Sequence, residues 1–443
     1  MQKINTNTIK EILNIKQELI QTTIEDISTD SRNVSPSTLF IAIKGEKFDG
    51  HNFIEDVINN KGVKLVITEQ KIDNINLKHQ IIVDDTLKAF GKLAAYNRKQ
   101  YKGTLIALTG SSGKTTTKEL LKSSLSVYGK TYATTGNFNN HIGVPRSLLD
   151  IDMSSQYAVI EMGMSNLGEI EYLTELASPD IAIVTNVYPM HIEFLKTLEN
   201  IATAKAEIFQ GLSSTGIAIY NQDTSHTPIL HNAAQKYTNN ILTYSSSDTN
   251  TLSMLSLEDD APHYQSNALC VLKVIEALNL DKAKAIPTIN SFGALEGRGK
   301  KHNLTINNKN ITLIDDSYSG QPDAMKLAIK KLKQTQTTGK RIALLGKMAE
   351  LGDYTIKAHQ EVGSLLKEEQ IDIVIGVCEE TKEMLAMLDN TTIQHYFPSI
   401  ENITDFLINN ILENNDVILI KGAHYSSQVF KVAKDLIEYS KTN

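Results

Sequence analysis

The residues most suited to chemistry lie at positions 110–115, which read Gly-Ser-Ser-Gly-Lys-Thr. The apolar run at 105–108 before them predicts a strand, and the Lys-Glu-Leu-Leu run at 118–121 predicts the start of a helix. In a strand–loop–helix unit of this kind, backbone N–H groups and the positive end of the helix dipole bind phosphate. Lys114 would reach the β- and γ-phosphates of a nucleotide, and the Thr115 hydroxyl would bind Mg²⁺.

The match to the complete phosphate-loop pattern is partial. That pattern has a glycine five positions before Gly113, and Leu108 occupies this position. An ordinary Gly/Ser turn is therefore the alternative interpretation of the loop when it is taken alone.

Two further side chains follow predicted strands and could contribute to a metal site. Glu161 follows the apolar run at 157–160, and Mg²⁺ binds one or two carboxylates together with phosphates. His191 comes shortly after the run at 181–184, near the carboxyl end of a second strand. An exposed glutamate and an ordinary surface histidine are the alternatives.

For three other stretches, the spacing of the residues alone does not decide between a functional and an ordinary structural role. The Gly-Asn-Phe-Asn-Asn turn at 136–140 is rich in amide donors and acceptors, and a plain loop is the alternative. Arg298 lies between two glycines, where it could bind a phosphate or be a solvated hinge residue. Lys205 is flanked by alanines in the helical stretch 201–208, and nothing in the periodicity argues against a solvent-facing lysine.

The elements that position these residues alternate between strands and helices. A small α/β set precedes residue 100, a second set predicts a doubly wound parallel sheet, and a third repeats the alternation near the C-terminus. The polar stretch 221–262 is interpreted as irregular or as a small excursion, and the basic run at 297–301 as a flexible boundary. We therefore predict an α/β protein with domains at residues 1–100, 101–309 and 310–443.

Composition narrows the function classes. The chain has 443 residues, of which 41% are hydrophobic and 21% charged, which is typical of a globular protein with sizeable cores. Its net charge of -7 argues against a nucleic-acid partner, and its two cysteines are too few for a disulfide framework. The N-terminus lacks a signal-peptide core, and no apolar run reaches the ~18 residues of a membrane span. We therefore expect a cytoplasmic protein.

In their order and spacing, motifs along nearly the whole chain resemble those of the Mur ligases. The N-terminal part has Asp-Ser-Arg at 30–32 and Gly-Glu-Lys-Phe-Asp-Gly-His at 45–51. The phosphate loop is followed by Thr-Gly-Asn-Phe-Asn-Asn-His-Ile-Gly-Val-Pro at 135–145, Glu-Met-Gly-Met at 161–164, Thr-Asn-Val at 185–187 and Ala-Lys-Ala-Glu-Ile at 204–208. Within the family, these motifs are most similar to the branch that adds a dipeptide.

The resemblance implies three domains: an N-terminal domain for the UDP moiety, a central ATPase domain and a C-terminal Rossmann-like domain. It implies an ATP-dependent ligase of peptidoglycan precursor synthesis that uses Mg²⁺. The reaction would join D-alanyl-D-alanine to UDP-N-acetylmuramoyl-tripeptide through an acyl phosphate. A monomer is expected.

The resemblance also implies roles for individual residues. Those implied to bind ATP are Gly110, Ser111, Ser112, Gly113, Lys114, Thr115, Thr116, Asn267, Arg298 and Asp316. Those implied to bind the UDP-linked substrate are Ser31, Arg32, Asn137, Asn139 and Asn140. Those implied to bind Mg²⁺ are Thr115, Glu161, His191 and Lys205, the last as a carbamate. Those implied to be catalytic are Lys114, Lys205, His191 and Arg298.

The C-terminal third departs from the pattern of that branch. Residues 315–322 read Asp-Asp-Ser-Tyr-Ser-Gly-Gln-Pro where the branch usually has Asp-Asp-Ser-Tyr-Asn-Ala-Asn-Pro. Lys347 replaces an aspartate, and Ala423-His424 replaces Ser-Arg. These changes bear on the incoming amine. The alternatives are a sister ligase for another amino acid or folate polyglutamate, a P-loop phosphotransferase or ATPase, and a substrate-binding regulator.

Overall fold

A computed structural model describes residues 1–45, 48–189, 192–257 and 261–442 of the chain. The chain divides into two compact units, Met1–Pro189 with Thr197–Ser291 and Met190–Lys196 with Phe292–Asn443. Strands and helices alternate in both, which is the predicted α/β organisation. The domain boundaries at residues 100 and 309 stay predictions.

The first unit begins with a small sheet. In chain order its elements are β1 (Ile4–Asn5), α1 (Thr6–Leu13), β2 (Thr23–Ile24), β3 (Asp26–Ser28), β4 (Thr38–Ile41), α2 (Ile54–Asn59), β5 (Leu65–Thr68), β6 (Gln80–Ile82) and α3 (Thr86–Gln100). β1 and β2 pair antiparallel, whereas β3, β4, β5 and β6 form a parallel sheet in that order. Phe40, Ile54 and Val66 are fully buried in the core that joins this sheet to α2.

A larger sheet follows. Its strands and the accompanying helices are β7 (Thr104–Thr109), α4 (Lys114–Leu125), β8 (Thr131–Ala133), α5 (Gly143–Leu149), β9 (Tyr157–Glu161), α6 (Glu169–Ala177), β10 (Ile181–Val184), α7 (Ile192–Leu195), α8 (Leu198–Ala206), β11 (Ile217–Asn221), α9 (Thr227–Gln235), β12 (Asn240–Tyr244), α10 (Thr249–Leu252), α11 (Pro262–Ala277) and α12 (Lys282–Asn290). Of these, α7 belongs to the second unit.

The strand order of this sheet locates a binding crevice. All six strands are parallel, in the order β12-β11-β10-β7-β9-β8. The central strands β7, β9 and β10 are buried almost throughout, as expected for a parallel sheet covered on both faces. Because the chain moves to one side of β7 for β8 and β9 and to the other for β10, the strand order reverses beside β7. Ligands bind outside the carboxyl ends of strands at such a point.

The second unit contains a mixed sheet. Its remaining elements are β13 (Lys300–Ile306), β14 (Lys309–Asp316), α13 (Pro322–Gln334), β15 (Arg341–Gly346), α14 (Thr355–Glu368), β16 (Ile373–Val377), α15 (Lys382–Leu385), β17 (Ile393–Phe397), α16 (Ile403–Phe406), β18 (Val417–Lys421), α17 (His424–Ser427) and α18 (Phe430–Thr442). The order is β13-β14-β18-β15-β16-β17, and only the β13–β14 pair is antiparallel among these strands. Alternate residues of β15 enter two cores, Ile342 and Leu344 one, Ala343 and Leu345 the other.

Two sequence expectations about irregular segments are wrong. The stretch 221–262 contains α9 and the edge strand β12, and Lys300 and Lys301 begin β13 instead of extending a flexible boundary. Both strands lie at sheet edges and are partly exposed, so they lack the continuous apolar run that identified the buried strands. Among the described residues, no helix has the length and apolar character needed to cross a bilayer.

Candidate active site

The phosphate-loop candidate connects β7, which ends at Thr109, to α4, which begins at Lys114. Gly113, immediately before α4, has a left-handed φ of 74°, and no side chain caps the helix there. A Cβ at this position would lie 2.9 Å from Asn267 Oδ1, so conformation and space both favour glycine. Because N–H groups in the first turn have no acceptor within the helix, this end of α4 is suited to a phosphate.

The segment after β10 holds the loop in shape. The Ser112 N–H donates to Asn186 Oδ1 (2.8 Å), and Asn186 Nδ2 donates back to the Ser112 carbonyl (3.0 Å). The Thr185 hydroxyl donates to the same carbonyl (3.0 Å). The Ser111 N–H donates to the Asn186 carbonyl (3.2 Å). The loop is therefore preorganised by neighbouring protein groups.

Helices α4 and α11 meet beneath this loop. The Thr117 hydroxyl donates to Asn267 Oδ1 (3.1 Å), and both side chains are buried together with Thr116. The Lys114 ammonium donates to the Gly110 carbonyl (2.7 Å), so its positive charge lies over the loop. The structure thus brings the predicted ATP residues of the first unit to one place.

Glu161 ends β9 and pairs in register with Leu108 of β7, next to the loop. The residue is 1% exposed. Its Oε1 accepts from Asn139 Nδ2 (2.8 Å), whereas its Oε2 accepts no hydrogen bond from any described residue. The Lys118 ammonium lies 3.9 Å from Oε2, too far to donate a hydrogen bond. A buried carboxylate oxygen without a hydrogen-bond donor is costly, and a hard divalent cation would compensate the remaining cost. This oxygen beside a phosphate-binding loop fits Mg²⁺.

Lys205 on α8 is only 2% exposed, so its side chain is buried and the solvent-facing alternative does not hold. Among the described residues, no carboxylate forms an ion pair with its ammonium. Burial first, and then the positive charge of Lys114, hold the pKa of Lys205 well below its usual value. His191, the other residue implied for this part of the site, lies outside the described residues.

The asparagine turn is partly used by the protein itself. Asn140 Oδ1 accepts from the N–H groups of Ile142 (3.2 Å) and Gly143 (2.9 Å), which shapes the entry into α5. The Asn139 carbonyl accepts from the Gly163 N–H (2.7 Å), and the Asn137 carbonyl accepts from the Asn139 N–H (2.7 Å). The turn is therefore fixed against the end of β9, where Glu161 lies.

Ser31 and Arg32 lie on a turn after β3. The Arg32 guanidinium donates from Nε and Nη2 to the two carboxylate oxygens of Asp30 (2.9 Å each), and its side chain is 85% exposed. The Arg32 guanidinium and backbone hydrogen bonds hold the pKa of Asp30 well below its usual range. The Lys61 ammonium donates to the Ser31 carbonyl (2.8 Å). This turn presents an oriented, accessible guanidinium.

In the second unit, Arg298 is the outer member of a stack that also contains the rings of Tyr318, His424 and Phe430. The Arg298 Cζ lies 4.2 Å from the centre of the Tyr318 ring. The Tyr318 and His424 centroids are 4.9 Å apart, and those of His424 and Phe430 are 4.1 Å apart. Burial first, and then the nearby Arg298 charge, lower the pKa of His424, which favours the neutral ring.

Acidic groups at the end of β14 complete this region. Asp315 Oδ2 accepts from the Gly297 N–H (3.1 Å), which ties Arg298 to the sheet. The Lys421 ammonium, 1% exposed, donates to Asp316 Oδ2 (2.7 Å). Asp316, the residue implied to hold the ribose, is thus oriented by a buried lysine from the neighbouring strand β18.

Sequence reasoning assigned no role to several residues that build these sites. Thr185 and Asn186 hold the phosphate loop in shape through hydrogen bonds. Both follow β10, which pairs with β7, and this position in the chain is the signal that could have identified them. Lys421 supports Asp316 from β18, which is 105 residues away in sequence, and Tyr318 supports Arg298 from just after β14. Lys118 is fully buried on α4. The sequence pattern that predicted the start of this helix indicated no contact for its side chain.

Comparison with known proteins places these features in one family. Three family models match in succession: "Mur ligase family, catalytic domain" at residues 23–98, "Mur ligase middle domain" at 108–277 and "Mur ligase, glutamate ligase domain" at 303–424.

Individual relatives and solved structures agree. The UDP-N-acetylmuramoyl-tripeptide–D-alanyl-D-alanine ligase of Bacillus subtilis is 32% identical, with 94% of each chain covered. The Escherichia coli protein of the same name is 35% identical over 86% of this chain and 87% of its own. MurF from Acinetobacter baumannii superposes with a TM-score of 0.87 at 28% identity over 99% of both chains. MurF from Thermotoga maritima in complex with ADP gives 0.78 at 26% identity, covering 94% of this chain and 98% of that one. The chain belongs to the Mur ligase family.

Proposed function

We propose that the protein is an ATP-dependent ligase that joins D-alanyl-D-alanine to UDP-N-acetylmuramoyl-tripeptide in peptidoglycan precursor synthesis. The observation that carries the proposal is the desolvated Glu161 oxygen beside a braced phosphate loop, in a chain matched over 94% of its length by a relative of that name. The same proposal places the protein in the cytoplasm and expects a monomer.

In the proposed reaction, the terminal carboxylate of the tripeptide attacks the γ-phosphate of ATP, and an acyl phosphate and ADP are formed. The amine of D-alanyl-D-alanine then attacks the acyl carbon, an amide bond forms and phosphate leaves. Lys114 and Arg298 are proposed to neutralise charge on the transferring phosphoryl group, which is the main catalytic requirement of such transfers. Asn267 and Asp316 are proposed to orient the nucleotide.

We propose that Mg²⁺ is held by Thr115 and Glu161, and a second ion by His191 and a carbamate on Lys205. When bound, these ions would supply positive charge to the phosphates. The Lys205 amine is buried and has a lowered pKa, which favours the neutral form that takes up CO₂. The carbamate oxygens would then be hard anionic ligands in place of a repelled ammonium.

The UDP-linked substrate is proposed to contact Ser31 and Arg32 through its phosphates. The Arg32 guanidinium supports this, because it is exposed and keeps N–H donors beyond the two that bind Asp30, and arginine N–H groups bind phosphate strongly. Asn137, Asn139 and Asn140 are proposed to face the muramoyl part. The hydrogen bond from Asn139 to Glu161 supports this, because it joins the turn to the proposed metal ligand.

The amine that the enzyme accepts separates this function from a sister ligase. We expect ligation of D-alanyl-D-alanine to exceed that of free D-glutamate, a diamino acid or glutamyl folate, measured as phosphate release and by the mass of the product. Faster ligation of any other amine would identify a sister ligase instead. Stable phosphorylation of an acceptor without amine would identify a phosphotransferase, and binding without turnover a regulator.

The stack of Arg298, Tyr318, His424 and Phe430 predicts that loss of the His424 ring raises the KM for ATP. We expect His424→Ala to raise the KM for ATP roughly two- to tenfold, since aromatic contacts contribute about 0.5–1.5 kcal/mol each. His424→Phe keeps a ring between Tyr318 and Phe430 and should stay near the unmodified value. Steady-state kinetics with varied ATP measures both. Equal KM values for the two variants would contradict a role for the stack in holding Arg298.

A further inference from the structure

Lys118 is a fully buried cation whose position no sequence motif explains. Its side chain is 0% exposed on the inner face of α4, one helical turn after Lys114. The ammonium donates to the carbonyls of Thr134 (2.7 Å) and Gly136 (2.9 Å). Buried lysines are rare unless paired, because desolvation of the charge must be compensated.

The carbonyls that Lys118 binds belong to the start of the asparagine turn. Thr134 follows β8, and Gly136 has a left-handed φ of 55°. From there the chain reaches Asn139, whose amide donates to Glu161. The Thr134 hydroxyl in turn accepts from the Glu161 N–H (3.1 Å). The turn is therefore fixed at one end by Lys118 and at the other by Glu161.

Two carboxylates lie near the Lys118 ammonium. Glu119 Oε1 is 3.1 Å away, and Glu161 Oε2 is 3.9 Å away. The latter is the oxygen that accepts no hydrogen bond from any described residue. Lys118 thus lies within ion-pair distance of the proposed metal ligand while it binds the turn through backbone carbonyls. The Lys118 ammonium therefore links α4, the helix that starts at the phosphate loop, to both the asparagine turn and Glu161.

We propose that Lys118 is a positioning residue that sets the asparagine turn and the Glu161 carboxylate relative to the phosphate loop, so that the UDP-linked tripeptide and ATP are aligned for transfer. The inference rests on the proposed function, since it assigns the turn to that substrate. Lys118 itself touches neither reactant; it acts through Gly136 and Asn139. Its loss leaves the buried Thr134 carbonyl without this donor and releases the Gly136 carbonyl, so that the turn is free to shift.

The test compares Lys118→Met, which keeps length and removes the charge, with Lys122→Met, an exposed lysine one turn further along the same helix. We expect Lys118→Met to raise the KM for the UDP-tripeptide roughly tenfold or more, since hydrogen bonds from charged groups contribute more free energy than those between neutral groups. The KM for D-alanyl-D-alanine should stay within about twofold. Calorimetry should show the same loss of UDP-tripeptide affinity. Lys122→Met should match the unmodified chain.

A double-mutant cycle separates positioning from general stability. If Lys118 acts through the turn, Asn139→Ala should lower the affinity for the UDP-tripeptide much less in the Lys118→Met variant than in the unmodified chain. Where Lys118→Met fails to fold, by circular dichroism, Lys118→Gln takes its place in the cycle. Additive effects, or a Lys118 variant with unchanged UDP-tripeptide affinity, would overturn the inference. Failure of the unmodified chain to ligate any amine would instead contradict the proposed function, and the calorimetric comparison would still decide the role of Lys118.

Discussion

Lys114→Ala is expected to lower the ligation rate by on the order of 10²-fold or more, because it removes a positive group aimed at charge that develops during phosphoryl transfer. The Lys114 ammonium lies over the loop through its bond to the Gly110 carbonyl (2.7 Å). The loop itself is braced by Thr185 and Asn186, so its shape should survive the substitution. Phosphate release under saturating substrates measures the loss.

The same variant should keep its affinity for UDP-N-acetylmuramoyl-tripeptide nearly intact. The substrate residues proposed for the UDP moiety, Ser31 and Arg32, are on a different sheet from the phosphate loop. Calorimetric titration of the UDP-tripeptide in the absence of nucleotide measures this. Lys122→Ala, exposed on the same helix, is the matched control. An equal loss of UDP-tripeptide affinity and of rate would argue against two separate sites.

The sequence was most informative where one local pattern determines the outcome. The run at 181–184 is fully buried and forms β10 with the predicted bounds, because a central parallel strand is apolar on both faces. The strand, loop and helix around Gly113 were also predictable, since a left-handed backbone at the start of α4 favours glycine. That the loop binds phosphate stays a prediction. Edge strands such as β12 were missed because partial exposure mixes polar and apolar residues.

The remaining features depend on contacts between distant segments. Whether a lysine on a helix is solvated or buried is decided by the elements that pack on it, so neither Lys205 nor Lys118 could be placed from periodicity. Arg298 could be singled out by its flanking glycines, but its stack needs Tyr318 from the end of β14 and His424 from the end of β18. Such neighbours are set by sheet order, which no local pattern shows.

Substitution of Lys205 is expected to have the second large effect on ligation activity. Because its buried amine is proposed to become a carbamate, Lys205→Ala should lose most ligation activity, and Lys205→Arg should lose as much, since a guanidinium cannot take up CO₂. Acetate should restore part of the activity of Lys205→Ala by placing a carboxylate in the vacated space. Restoration should saturate with acetate concentration and should be absent for Lys205→Arg, whose side chain fills that space.

A readout independent of turnover is carbon-13 NMR of the protein in labelled bicarbonate. The unmodified chain should show a carbamate resonance that both Lys205 variants lack. Lys236→Ala, an exposed lysine of the same unit, should retain the resonance and full activity. Desolvation explains the choice of site: burial lowers the pKa of Lys205 and so favours the neutral amine, which is the form that takes up CO₂. Full activity of Lys205→Arg, or an unmodified chain without the carbamate resonance, would contradict the assignment.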